Sequence, residues 1–317
     1  MISKSKNGST LSSALGAVIV AAVVSVVLVQ ASPAAPAKQT TFVAAWTAVR
    51  TAVSAAKSGD QKQLAAIFGP AAKELLFSGD AVADKQARER FVQLYEEKHS
   101  LVPAGAGMVL VIGTQEWPFP IPLAKKGKVW FFDTNKGKEE ILTRRIGQNE
   151  LSAIQVCLAI VDAQRQYVMS DRNDDGFREY AQKFRSDSGK KNGLYWKTGK
   201  GEEPSPLGPF AAQASSEGYE IKQSGGKPSP YHGYYYRILK AQGKSALGGA
   251  FDYVVDGHMV GGFAVVAYPA EYGNSGVMSF IVNQDGVVYQ KNLGQNTGKV
   301  AEAMKVYDPD PSWKKAQ

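Results

Sequence analysis

The chain is poor in the residues that build disulfides and histidine-based metal centres. It has 1 cysteine and 3 histidines among its 317 residues. A lone Cys157 excludes an internal disulfide, so the fold must depend on its hydrophobic core. The histidines, His99, His232 and His258, show no H-E-x-x-H or paired spacing, which disfavours a histidine-based zinc site.

Motifs of common catalytic and nucleotide-binding sites are also absent. The sequence contains no Walker loop, no G-x-G-x-x-G and no G-x-S-x-G. Ser54 and Lys57 form an S-x-x-K, and residues 197–199 read K-T-G, but no S-D-N stands between them. Cys157 lies beside an apolar helical stripe, where cysteine usually packs as a small hydrophobe. The sequence therefore names no reaction.

Positive charge is in excess but is not concentrated in one stripe. The net charge is +8, and the lysines are scattered along the chain. Nucleic-acid binding requires clustered charge with interleaved aromatic residues, so this pattern disfavours it. Anionic cell-wall polymer and lipid headgroups suit the charge equally well. The hydrophobic content of 44% is that of a globular chain with a proper core.

The N-terminus predicts export. No charged residue occurs between Lys6 and Lys38, and residues 15–29 are almost entirely Leu, Ile, Val and Ala. A basic start, an apolar run and the small-residue site Val29-Gln30-Ala31 are typical of a cleaved signal peptide over residues 1–31. An uncleaved anchor is the alternative, because about 20 apolar residues span a bilayer. We expect a protein of the bacterial periplasm or cell surface, attached to a membrane only through an uncleaved signal.

Residues 32–138 predict a small α+β module. Apolar residues at three- and four-residue spacing predict a first helix that ends near Gly59. Further helices are predicted at 61–68 and 84–99, and strands at 108–112 and 129–132. Proline at alternate positions of 117–122 indicates an edge or extended strand. We expect these helices to pack on a small antiparallel sheet.

Residues 139–312 predict a second α+β domain, followed by a tail at 313–317. A long helix is expected over 139–169, with Ile146, Leu151, Ile154, Leu158 and Val161 as its apolar stripe. The stretch 186–230 is rich in Gly, Ser, Pro and Lys and predicts loops. Four strands are predicted at 233–239, 251–255, 262–267 and 276–282, the last leading on to 287–289.

Two resemblances follow from particular segments. WPFPIPL (117–123), RRIGQNELSAIQVC (144–157) and PYHGYYYRIL (230–239) resemble an exported bacterial family catalogued as domain of unknown function 2950. Segments 149–168 and 261–289 resemble, more distantly, the heads of type IV pilins and pseudopilins. That likeness implies a long helix packed on a four-stranded antiparallel sheet. No apolar helix precedes Asn149, so the chain lacks the polymerising half of a pilin.

The sharpest local pattern is the start of an EF-hand-like calcium loop. Asp171, Asn173 and Asp175 occupy positions one, three and five, and a glycine follows at six. Phe177 offers a carbonyl at seven and Glu179 a side chain at nine, but position twelve is Gln182 instead of the bidentate Glu. The pattern is thus compatible with Ca2+ and equally with a solvated helix end, where Asp, Asn and Gly are common.

Two functions remain open at this level. The first is a non-catalytic binding or assembly module whose partner is an envelope protein or cell-wall polymer. Its predicted contact surface is an exposed strand with Tyr231, Tyr234 and Tyr236, together with Tyr272 in the loop 270–275. The second is a periplasmic hydrolase acting on cell-wall polymer or a small ester. It would use a cleft between the domains, where Asp133, Glu139 and Glu140 lie in the sequence.

Overall fold

The computed structural model describes residues 38–172, 175–220 and 229–316. The predicted signal peptide at 1–31 and Asn173 of the predicted calcium loop lie outside the described residues. Two hydrophobic cores occur within the unit Pro36–Gln317. Among the helices in the described ranges, none is both long and apolar enough to span a bilayer.

The first core lies between short helices and a small antiparallel sheet. The helices are α1 (Ala45–Ser58), α2 (Gln61–Phe68), a 3₁₀ turn (Pro70–Ala72), α3 (Lys73–Leu76) and α4 (Ala81–Glu97). The strands are β1 (His99–Ala104), β2 (Gly107–Ile112), β3 (Trp117–Pro118), β4 (Leu123–Lys126) and β5 (Val129–Phe132). They pair in the order β1-β2-β4-β5, and β3 pairs with β2. Buried Val49, Leu64, Leu110 and Phe132 belong to this core.

Local signals account for most of these bounds. Asp60 caps α2 by accepting a hydrogen bond from the backbone N–H of Gln63, and Gly69 ends it. Both α2 and β5 have the predicted limits. The third predicted helix begins three residues earlier, at Ala81, because Asp80 accepts from the N–H groups of Val82 and Ala83. His99 starts β1, a strand that the sequence pattern did not predict.

Helix α5 (Thr134–Tyr167) contributes to both cores along its 34 residues. Its first turn packs against the first core, and the hydroxyl of Thr134 donates a hydrogen bond of 2.6 Å to the carbonyl of Phe68. The predicted apolar stripe was wrong in part, since Leu151 is 59% exposed. The buried face instead carries the small residues Ala153 and Cys157, which let the helix lie close to the second sheet.

The second core lies between α5 and an antiparallel sheet. The strands are β6 (Tyr234–Leu239), β7 (Ala241–Gln242), β8 (Phe251–Asp252), β9 (Val254–Val255), β10 (His258–Met259), β11 (Ala264–Pro269), β12 (Met278–Asn283), β13 (Tyr289–Asn292) and β14 (Lys314–Lys315). The main sheet has the order β14-β13-β12-β11-β6. All six residues of β11 are buried. Helices α6 (Gly208–Ser216) and α7 (Thr297–Ala303) complete the described part. The predicted α+β class is confirmed.

Three details of this half differ from the sequence-based expectation. The segment 251–255 does not join the main sheet, because β8 pairs with β7 and β9 pairs with β10 in separate two-stranded ribbons. The expected tail contains β14, which pairs with β13, and its Trp313 is buried. The stretch predicted as loops contains α6. Strand partners decided the first two, nearby ones for 251–255 and the more distant β13 for β14, and local apolar spacing does not encode such pairing.

Candidate functional site

The loop that follows α5 folds back on itself through its own carboxylates. The carboxylate of Asp171 accepts hydrogen bonds from the N–H groups of Gly176 at 2.8 Å and Asp175 at 3.4 Å. Asp175 in turn accepts from the N–H of Phe177 at 2.9 Å. Gly176 adopts a φ of 89°, which favours glycine because other side chains clash there. The turn directs Asp175 and Glu179 to the same place.

A short hairpin brings His258 to these two carboxylates. One ligand atom from each of Asp175, Glu179 and His258 lies within 4.8 Å of the other two. The Nδ1 atom of His258 is 3.7 Å from Oδ2 of Asp175 and 3.6 Å from Oε2 of Glu179. We call these three residues the carboxylate–histidine cluster. Its donor types are those of divalent metal sites in proteins.

Backbone hydrogen bonds fix the cluster in place. The N–H of Met259 donates to Oε2 of Glu179 at 2.9 Å, and the N–H of Tyr180 donates to the carbonyl of Met259 at 2.9 Å. The ring of Phe177 stacks on the imidazole of His258 at a centroid distance of 4.2 Å. The loop and the hairpin therefore form one tethered surface, as a preorganised site requires.

The cluster lines a polar cavity of about 370 Å³, which Tyr167 and Asn192 also line. The hydroxyl of Tyr167 donates to the carbonyl of Lys191 at 2.8 Å. Its pKa is raised to about 12, first by burial and then by the negative charge of Glu179. The electrostatic effect of the cluster thus reaches the end of α5.

Two further polar cavities adjoin this one. The first, of about 690 Å³, has Asn192 in common with the 370 Å³ cavity. The second, of about 640 Å³, has Lys190 and Lys191 in common with the first. We call the 640 Å³ cavity the basic cavity. Its charged lining consists of Arg185, Lys190, Lys191, Lys197, Asp187 and Glu202. Cations outnumber carboxylates, so the cavity suits a negatively charged ligand.

Trp196 also lines the basic cavity and is 7% exposed. Its ring lies 5.6 Å from Cζ of Arg172 and 5.7 Å from Nζ of Lys191, so two cations flank the indole. Its Nε1 atom is buried and has no hydrogen-bond partner among the described residues. An unpaired buried donor of this kind is a candidate contact for a ligand.

The structure brings together only part of the predicted calcium loop. Asp175 and Glu179 meet in the carboxylate–histidine cluster, whereas the Asp171 carboxylate binds backbone N–H groups of its own loop. Phe177 contributes its stacked ring. Gln182, at position twelve, donates to the carbonyl of Gly257 at 2.6 Å. His258 was missed as a partner because no local spacing connects it with residues 175–179.

The four tyrosines predicted to form one exposed contact surface lie in different environments in the structure. Tyr234 is fully buried, and its hydroxyl donates to the carbonyl of Met278 at 2.9 Å, so it is not available for a partner. Burial also raises its pKa. Tyr231 and Tyr236 are half-buried and line an apolar cavity of about 240 Å³. Tyr272 lies apart in a tight loop, where it forms a bridge with Gly276. The expected exposed tyrosine strand is therefore corrected.

Several of the candidate groups for catalysis are buried or paired, whereas Ser54 and Glu139 are exposed. Cys157 has no exposed surface, and burial raises the pKa of its thiol to about 12. Lys57 of the S-x-x-K is paired with Glu96 on α4. Near the start of α5, Asp133 pairs with Lys136 and Glu140 pairs with Arg144. No observation on these residues favours the hydrolase alternative.

The comparisons with known proteins give one family. The family described as protein of unknown function (DUF2950) matches residues 39–316. No curated protein and no solved structure matches the chain, so the likeness to pilin heads stays a prediction. The match extends from the first described residues to β14 and includes the loop, the hairpin and the basic cavity. The chain thus belongs to the DUF2950 family of proteins of unknown function.

Proposed function

We propose that this protein is exported to the bacterial cell envelope, where it binds an anionic polymer without catalysing a reaction. The basic cavity carries this proposal. In the described ranges, no carboxylate lies within ion-pair distance of Lys190, Lys191 or Lys197. Three exposed ammonium groups around one cavity attract carboxylate or phosphate groups.

The carboxylates of the same cavity are already engaged. Asp187 accepts hydrogen bonds from Nζ of Lys183 at 2.8 Å and from the amide of Asn192 at 2.9 Å. Glu202 accepts from the N–H of Gly199 at 2.8 Å. Since these groups are satisfied within the loop, they leave the lysines to an external anion.

The burial of the thiol supports binding over thiol-based catalysis. Cys157 is the only thiol in the sequence, and it is sealed between α5 and the sheet with a raised pKa. Export rests on the N-terminal pattern at residues 1–31. Their removal takes away Lys4 and Lys6 and lowers the net charge from +8 to +6, which still favours association with anionic envelope polymers.

The test measures binding of a carboxylate-bearing polysaccharide, polygalacturonate, with neutral dextran as the comparison. We expect the anionic polymer alone to bind, with an affinity that falls as salt is added. The variant K190Q/K191Q should bind about tenfold more weakly, because two exposed charges are removed. K126Q/K128Q is the matched control, with the same charge change on the exposed β4–β5 hairpin. Equal losses in both variants would overturn the assignment to the basic cavity.

Export is tested separately by fractionating cells that produce the tagged full chain. Mass spectrometry of its N-terminus should find a chain that begins near Ser32 in the envelope fraction. A chain that remains in the cytosol would contradict the proposal.

A further inference from the structure

We propose that Asp175, Glu179 and His258 bind one divalent transition-metal ion, with His258 as the nitrogen ligand. This site goes beyond the proposed polymer binding, because it has its own residues, its own cavity and a different ligand. It also differs from the calcium loop expected from the sequence, because one ligand comes from a distant hairpin.

The distances fit a metal with little rearrangement. The three donor atoms lie within 4.8 Å of one another. A zinc ion with bonds of about 2.0–2.2 Å holds its ligand atoms roughly 3.3 Å apart. The separations from Nδ1 of His258, 3.7 Å to Asp175 and 3.6 Å to Glu179, are already close to that value. Small side-chain rotations complete the geometry.

His258 shows an unmet requirement for a partner. Its Nδ1 atom is buried and makes no hydrogen bond within the part of the chain that the structure describes. The carboxylate oxygens of Asp175 and Glu179, at 3.7 Å and 3.6 Å, are too far away to bond it directly. A buried polar atom without a partner calls for a physical explanation, and an ion between the three groups supplies one.

The charge balance leads to the same result. Two carboxylates converge beside His258, with Asp175 exposed and Glu179 half-buried. Lys183 and Lys240 line the same cavity, but their ammonium groups bind Asp187 and the amide of Gln182, both at 2.8 Å. A bound dication neutralises the two carboxylates without displacing either lysine.

The donor set selects the class of metal. Calcium takes six to eight oxygen ligands, and among the described residues of this loop two carboxylates meet at one point. Asp171, another oxygen donor expected for calcium, binds backbone N–H groups of its own loop instead. An imidazole with two carboxylates suits Zn2+ and its neighbours in the first transition row. Three protein ligands leave a coordination position towards the cavity of about 370 Å³.

The experiment titrates the EDTA-treated protein with ZnCl2 and, separately, with CaCl2, by calorimetry and by the midpoint of thermal unfolding. We expect one Zn2+ to bind per chain and to raise the melting temperature, because only the folded state holds the three ligands together. E179Q and H258Q should weaken Zn2+ binding by at least about tenfold, the lower range for losing a group that supports a metal site.

A second His–Glu pair in the same protein provides matched controls. Nε2 of His232 lies 3.2 Å from Oε2 of Glu217, and within the described part of the chain no third metal-ligating group joins them. E217Q and H232Q should leave Zn2+ binding unchanged. E179Q keeps an oxygen that can accept from the N–H of Met259, so this variant remains decisive if H258Q unfolds. Absence of Zn2+ binding, unaltered affinity in E179Q, or binding of Ca2+ in place of Zn2+ would overturn the proposal.

Discussion

The hydroxyl of Tyr219 donates a hydrogen bond of 2.9 Å to the carboxylate of Asp80, across 139 residues of sequence. Asp80 is 1% exposed and also accepts from the N–H of Gly233 at 2.9 Å, while it caps the start of α4. Burial raises the pKa of Tyr219, and the charge of Asp80 raises it further. One buried carboxylate therefore connects the start of α4 with the strand region that precedes β6.

Replacing Asp80 should destabilise the protein far more than replacing a similar cap on the surface. D80A leaves the buried donors of Tyr219 and Gly233 without a partner, so we expect a loss of about 3 kcal/mol or more in the free energy of unfolding. D60A removes the exposed cap of α2, which makes one such bond, and should cost about 1 kcal/mol. Urea unfolding measures both. Equal losses would contradict a connecting role for Asp80.

Replacing Arg145 with lysine should destabilise the protein. Its guanidinium donates to the carbonyls of Glu74 at 2.8 Å and Leu75 at 2.6 Å, and to the side-chain oxygen of Asn274 at 2.6 Å. A lysine cannot reach three acceptors with this planar geometry, so R145K should lower the free energy of unfolding by about 2 kcal/mol.

The neighbouring Arg144 is the control for Arg145. It is half-exposed and pairs with Glu140 one turn away. R144K should change the stability by less than about 0.5 kcal/mol. If thermal and urea unfolding found the two variants alike, the bridging role of Arg145 would be wrong.

Two glycines of α5 should respond to alanine in opposite directions. A Cβ on Gly137 would lie 2.4 Å from the carbonyl oxygen of Pro120, whereas a Cβ on Gly147 meets nothing within 4 Å. G137A should therefore destabilise by about 1–3 kcal/mol through overpacking. G147A should stabilise by up to about 1 kcal/mol, the helix-propensity gain of alanine over glycine. Differential scanning calorimetry should find melting temperatures on opposite sides of the wild-type value.

Cys157 should be unreactive in the folded protein. The contribution of its protonated thiol to the free energy of unfolding should be present at neutral pH and lost at strongly alkaline pH. Burial raises the pKa of its thiol from 9.0 to about 12, so the folded state retains the proton that the unfolded state loses first. This contribution is complete below about pH 9 and is lost as the pH rises towards 12. C157A should flatten the fall of stability in that window. The buried Tyr167, whose pKa is also raised to about 12, should cause part of the fall in stability that remains in C157A.

Thiol labelling at pH 8 provides a direct check of this burial. An aromatic disulfide reagent should react with Cys157 only in urea, at a rate that follows unfolding. Rapid stoichiometric labelling of the native protein would show that the thiol is accessible and would reopen the question of a nucleophile.

Local signals in the sequence determined the class of fold and many element limits. The cap at Asp60 and the stop at Gly69 define α2, because capping and left-handed glycine conformations depend on neighbouring residues alone. Segments distributed over most of the chain were enough to identify its family, and the carboxylates at 171–179 already marked the loop that contributes to the cluster.

Tertiary structure alone decided which of these residues meet. The predicted strand at 251–255 became parts of two ribbons with neighbouring strands. Tyr234 became buried and Leu151 became exposed, because the packing of distant elements selects the buried face. His258 joins Asp175 and Glu179 for the same reason, since the N–H of Met259 binds Glu179 from 80 residues away. Contacts over such separations depend on loop closure and packing, which leave no periodic trace in the sequence.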